Sequence, residues 1–178
     1  SGMASATVSA PTFGPNGINN GSSLAGETTT NTYFAAPGNF PATATYHLDV
    51  SVNTAGYDIT SIQSFMGWQS NSAAHANQTY TVAVSYVGSA DFTNLATVSY
   101  QPFGTANSND HESHVLINRS SGALATGVDG IRFTFTPPAV GGTAPGTVVR
   151  EIDVHGVPSS VVVIVGVSIR SAPVFVIR

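Results

Sequence analysis

From Tyr46 onward, apolar and polar residues alternate one for one along much of this chain. Tyr46, Leu48, Val50 and Val52 fall on one face and His47, Asp49, Ser51 and Asn53 on the other, which predicts a half-buried strand. The same period of two returns in residues 59–65, in Tyr80, Val82, Val84 and Tyr86, in Ala96, Val98 and Tyr100, and in Ile131, Phe133 and Phe135. Residues 115–117 predict a further strand, and no stretch carries a helical period. The gaps at residues 53–58, 67–78, 88–94, 104–110, 120–130 and 137–146 are rich in turn formers. Residues 11–45 are dense in Gly, Pro, Asn, Ser and Thr and read as long loops. Short alternating strands joined by polar loops predict an all-β sandwich of two antiparallel sheets. Alternation alone does not separate an immunoglobulin-like sandwich from a jelly roll.

Residues 157–178 change character. Residues 161–165 are all apolar, Val167, Ile169, Val174, Phe175, Val176 and Ile177 follow, and Arg170 and Pro173 interrupt them. A bilayer span needs about 20 apolar residues in a row, so no membrane span is expected. The expected domain is residues 1–156. The tail, 157–178, is expected as an added strand or hairpin, on its own sheet or in self-association with a neighbouring chain.

Composition narrows the partners. The chain has 178 residues, no lysine, arginines only at 119, 132, 150, 170 and 178, and a net charge of -4. Nucleic-acid binding neutralises phosphates with clustered Lys and Arg, so no nucleic acid is expected as a partner. The absence of cysteine excludes a disulfide framework and a thiolate metal site. Ser1-Gly2-Met3 opens the chain with neither a basic nor an apolar leader. A surface solvated by Ser, Thr, Asn and Gly instead of ions is usual for exported β-proteins, so a secreted or cell-surface location is expected.

Trp68, the one tryptophan, stands where a predicted strand runs into a polar loop that carries Gln69, His75 and Asn77. An exposed indole stacks on the apolar face of a sugar ring while neighbouring amides bond its hydroxyls, so this group reads as a glycan site. The competing reading has Trp68 capping the core. Tyr57, Phe103 and His111 lie in other gaps, where they could join the same end of the sandwich or serve packing. In His111-Glu112-Ser113-His114 the two imidazoles are three residues apart and leave on opposite sides of a strand, so solvated polar residues are expected there, not a zinc site. The 9 carboxylates are scattered, and neither a Gly-x-Ser-x-Gly elbow nor a phosphate-cradling glycine loop is present. The expectation is a non-catalytic module that binds a glycan or polysaccharide through loops at one end. The alternative is a structural or adhesive surface domain acting by protein contact.

One series of segments carries a resemblance. It comprises Ile59-Thr60-Ser61-Ile62, Gly67-Trp68-Gln69, Gln78-Thr79-Tyr80-Thr81-Val82 and Phe92-Thr93-Asn94-Leu95, then Val128-Asp129-Gly130-Ile131-Arg132-Phe133 and Arg150-Glu151-Ile152-Asp153-Val154-His155-Gly156. In order and spacing it resembles the galactose-binding-like, or discoidin-type, β-sandwich superfamily over residues 5–156. The resemblance implies a jelly-roll β-sandwich, sugar binding at loops in many members, and a closing strand that ends at Gly156. It further implies that Glu151 resembles a closing-strand glutamate which, in several discoidin-type sugar binders, helps hold a structural calcium with N-terminal loop oxygens. Here Asn20 and Ser22, with Glu27 nearby, are the candidate partners. The other reading pairs Glu151 with Arg150 or Arg132.

Overall fold

A computed structural model describes residues 3–8, 33–35, 40–68, 73–103, 111–138 and 146–160. In chain order its strands are β1 (Met3–Val8), β2 (Tyr33–Ala35), β3 (Ala42–Leu48), β4 (Tyr57–Trp68) and β5 (Gln78–Tyr86). They continue with β6 (Thr93–Tyr100), β7 (His111–Asn118), β8 (Ala125–Phe135) and β9 (Thr147–Pro158). A 3-10 turn at Ala73–Ala76 sits between β4 and β5. No helix among the described residues is long and apolar enough to cross a membrane.

Every pairing is antiparallel, and the strands form two layers, β1-β3-β8-β5-β6 and β7-β4-β9-β2. β8 belongs to both. Its first residues pair with β4 at Tyr57↔Val128 and Ile59↔Ala125, and its remainder runs between β3 and β5. Ile59, Ile62, Met66, Val149 and Ile152 from one layer join Ala44, Tyr46, Val82, Val84, Ile131, Phe133 and Phe135 from the other in one core. Burying each such side chain stabilises the fold by about 1.5 to 3 kcal/mol. Phe133 sits at the centre of an aromatic group, edge-on to Tyr46 at 6.1 Å and tilted to Tyr80 at 5.9 Å. The fold is therefore an all-β jelly-roll sandwich of two antiparallel sheets.

Three local departures from the alternation have physical causes. The strand expected from Tyr46 starts instead at Ala42 and stops at Leu48, leaving Val52 82% exposed. Asp49 ends it: its Oδ1 accepts from the Ser51 amide at 3.1 Å and the Ser51 hydroxyl at 2.6 Å, closing an Asx turn that the apolar Val50 and Val52 cannot override. In β4 the register shifts between Ile59 and Ser61, so the inward set becomes Ile62, Ser64 and Met66, and Phe65 faces outward. Gly156 does not end the closing strand, because β9 continues to Pro158. A Cβ at Gly156 would stand 2.6 Å from the Asp58 carbonyl oxygen, so glycine is what lets β9 lie close along β4. Residues 161–178, which include most of the expected tail, lie outside the described residues.

Candidate functional site

At about 3.3 Å per residue, the twelve residues of β4 hold Tyr57 and Trp68 about 36 Å apart, at opposite ends of the sandwich. The Trp68 end gathers most of the expected site residues. Trp68 closes β4 directly opposite His111, the first residue of β7. The His111 ring meets the Phe103 ring edge-on at 4.7 Å. Asn77, just before β5, donates from Nδ2 to the Phe103 carbonyl at 2.8 Å, and its Oδ1 accepts from the Phe103 amide at 3.0 Å. That amide acts as one more rung of the β5–β6 ladder, whose last strand pair is Gln78↔Tyr100. His75 is buried in the 3-10 turn just before it. Gln69 and the Trp68 side chain fall outside what is described.

Four buried polar side chains fix this end from below. The Ser64 hydroxyl donates to Gln78 Oε1 at 2.6 Å, which leaves the Tyr80 hydroxyl to donate to Ser64 at 2.7 Å. Gln78 Nε2 donates to the Ser113 carbonyl at 3.0 Å and to the Ser113 hydroxyl at 2.9 Å, and that hydroxyl in turn donates to the Ala76 carbonyl. A network with every member satisfied holds the 3-10 turn, and hence Asn77, against β4, β5 and β7. Burial raises the Tyr80 hydroxyl pKa to about 12, so it stays a donor at neutral pH.

The other expected residues sit elsewhere. Tyr57 does not join the group: its hydroxyl donates to the Asp49 carbonyl at 2.9 Å, at the far end of β4. Asn77 is fully buried with its amide engaged, so it positions Phe103. Glu151 is 3% exposed and lies opposite Phe65 on β9, toward the Trp68 end. Asn20 and Ser22 lie outside the described residues, among which no group of three metal-ligating side chains occurs. Arg132 lies in the other layer, with its guanidinium over Phe92. His111 and His114 do leave β7 on opposite faces. His114 stacks on Phe65 at 4.4 Å, and its Nε2 donates to Gln63 Oε1 at 3.0 Å. Sequence reasoning missed the Ser64–Gln78–Ser113 support. Its signal was a polar residue at an inward position of each of three strands.

Built on two antiparallel layers that share β8, the chain has the fold of the galactose-binding-like, discoidin-type sandwiches. It is similar to the family 32 carbohydrate-binding module of AlyQ solved with 4,5-unsaturated mannuronic acid. That match has 10% identity and a TM-score of 0.53, covering 86% of this chain and 95% of the other. It is also similar to a mutant of the lectin binding domain of lectinolysin complexed with Lewis b, at 10% identity and a TM-score of 0.51, covering 84% and 89%. The family 32 module of Clostridium perfringens NanJ, in complex with galactose, matches at 15% identity and a TM-score of 0.47, covering 84% and 92%. At such identities the first two likenesses define the fold and nothing more. No protein-family model and no curated protein matches the chain.

Proposed function

We propose that this chain is a non-catalytic carbohydrate-binding module of an exported protein, taking a glycan at the loop end bounded by Trp68, His111 and Phe103. The observation that carries the reading is the strand pairing of Trp68 with His111 and the ring contact of His111 with Phe103, which bring the β4–β5 and β6–β7 connections together at one end. Supporting it, solved sandwiches of the same fold are complexes with 4,5-unsaturated mannuronic acid and with Lewis b. The buried Glu151 is proposed as the protein's contribution to a structural calcium with Asn20 and Ser22. Calcium prefers oxygen ligands, and a carboxylate on the closing strand supplies a charged one.

The test is retention on immobilised polysaccharides after a glycan-array screen has chosen the polymer. Trp68→Ala should weaken binding by on the order of 1 to 3 kcal/mol while leaving the melting temperature in place. Unchanged retention with a lowered melting temperature would assign Trp68 to the core and refute the site.

A further inference from the structure

A second group of side chains, unused by the Trp68 end, stands on the outer face of the five-stranded layer. Arg132 points outward from the middle of β8, level with Thr45 on β3 and Ala83 on β5. Its guanidinium carbon lies 3.8 Å from the centre of the Phe92 ring, and its Nε donates to Thr45 Oγ1 at 3.2 Å. Phe92 reaches this place because Gly130, two residues before Arg132, has no side chain. A Cβ there would stand 3.3 Å from the ring's Cζ. The next row along the face is Thr43, Thr134 and Thr81, side by side on β3, β8 and β5 and all half-buried.

This arrangement holds a cation ready without neutralising it. The ring covers one face of the guanidinium and Thr45 takes Nε, so the in-plane Nη1 and Nη2 donors remain. Among the described residues no carboxylate pairs with them. Asp129, three residues before Arg132, takes the Ser85 hydroxyl on its Oδ1 at 2.5 Å, and Asp91, next to Phe92 in the chain, is exposed. A guanidinium held over an aromatic ring has already lost much of its hydration and rotamer freedom, and its fork matches a planar carboxylate bidentately. We propose that this face is a second saccharide site for a uronic acid, with Arg132 holding the carboxylate and the Thr134 hydroxyl meeting a sugar hydroxyl. The ligand class rests on the glycan reading above, but the site shares no residue with the Trp68 end.

Parallel titrations of the labelled protein with D-galacturonate, D-galactose and acetate, followed by amide chemical shifts, test this directly. Galacturonate should saturably shift Phe92, Thr45 and Arg132 while galactose and acetate at equal ionic strength leave them nearly still. Arg132→Gln should abolish the shifts, Arg132→Lys should raise Kd about tenfold, and Phe92→Leu should raise it a few-fold, on the order of 2 to 5 times. Dispersed spectra report that each variant is folded, and Phe92→Leu, which keeps the charge, serves if Arg132→Gln does not fold. The proposal is overturned if galacturonate moves none of these amides up to about 100 mM, if galactose or acetate moves them equally, or if the shifts survive Arg132→Gln. Failure of the Trp68 site reads out separately, as the absence of saccharide-induced shifts at His111 and Phe103.

Discussion

The two ends of β4 are closed by different chemistry. At the Tyr57 end the closure is main chain against main chain: a Cβ on Gly56 would stand 2.7 Å from the Gly127 carbonyl carbon and 2.8 Å from the Val128 oxygen. Short side chains finish it. The Ser159 hydroxyl donates to Asp58 Oδ1, and the Gly127 amide reaches Ser159 Oγ at 3.1 Å. At the Trp68 end Gly67 also lies close to main chain, a Cβ there standing 2.6 Å from the His111 carbonyl oxygen, but side chains make the rest of the closure, with Asn77 bracing Phe103 and Gln78 bridging Ser64 and Ser113. Backbone closure leaves no space for a guest and tolerates no added atom. Side-chain closure can be altered residue by residue while the sheets stay intact, which suits the end proposed to meet a ligand.

The sharpest break of this contrast is Gly56→Val. Gly56 has φ +78° and backbone neighbours under 3 Å, so strain and overpacking together should cost about 4 kcal/mol in urea unfolding. Gly88→Ala is the control: its φ is +86° but nothing lies within 4 Å of a Cβ, so about 1 kcal/mol is expected. Equal midpoints for the two would end the claim of main-chain closure.

Removal of the proposed calcium acts at the other end. An ion bound only by the folded state adds about 2.7 kcal/mol at a hundredfold excess over Kd. A chelator should therefore lower Tm and calcium should restore it, with magnesium substituting poorly and Glu151→Gln abolishing the response. Elemental analysis showing no metal in the purified protein, together with an unmoved melting curve, would refute the site.

Tyr80 gives a pH signature of the same end. Its folded pKa, raised by burial to about 12, lies above the unfolded value, so its stabilisation is complete below pH 10 and is lost as pH rises from 10 to 12. The loss should approach about 2 kcal/mol. Subtracting the alkaline melting series of Tyr80→Phe from that of the wild type isolates it, and parallel curves would contradict the assignment. At the same end Asn77→Ala removes two hydrogen bonds to Phe103 and should cost about 1 to 2 kcal/mol. Its distinguishing readout is a shift of the His111 ring protons, which a general loosening elsewhere would not produce.

The core strands were legible because Tyr80, Val82, Val84 and Ile131, Phe133, Phe135 keep a strict period of two, and these residues are buried. The extent of β3 was hidden by Val50 and Val52, which continue the pattern past an Asp49 turn. The inward phase of β4 was hidden by a register shift that alternation cannot announce. At the candidate site, the clustering of Phe103 and His111 with Trp68 followed from their positions in gaps between strands. Tyr57 was misplaced because period tells which face a residue takes, not which end. A residue just before a strand and one just after it must lie at opposite ends, and that count separates Tyr57 from Trp68. The role of Asn77 was not legible, since a buried amide that mimics a backbone rung looks in sequence like any loop asparagine.

One strand, β8, lends its first residues to one layer and its remainder to the other. The two sheets are thus stitched by a shared hydrogen-bond ladder as well as by apolar contact, so neither can slide over the other without tearing it. Shear applied between the layers, as when a tethered domain is dragged along a solid substrate, would load those main-chain bonds lengthwise. Mechanical resistance would then reside in the frame, away from the connections at its ends.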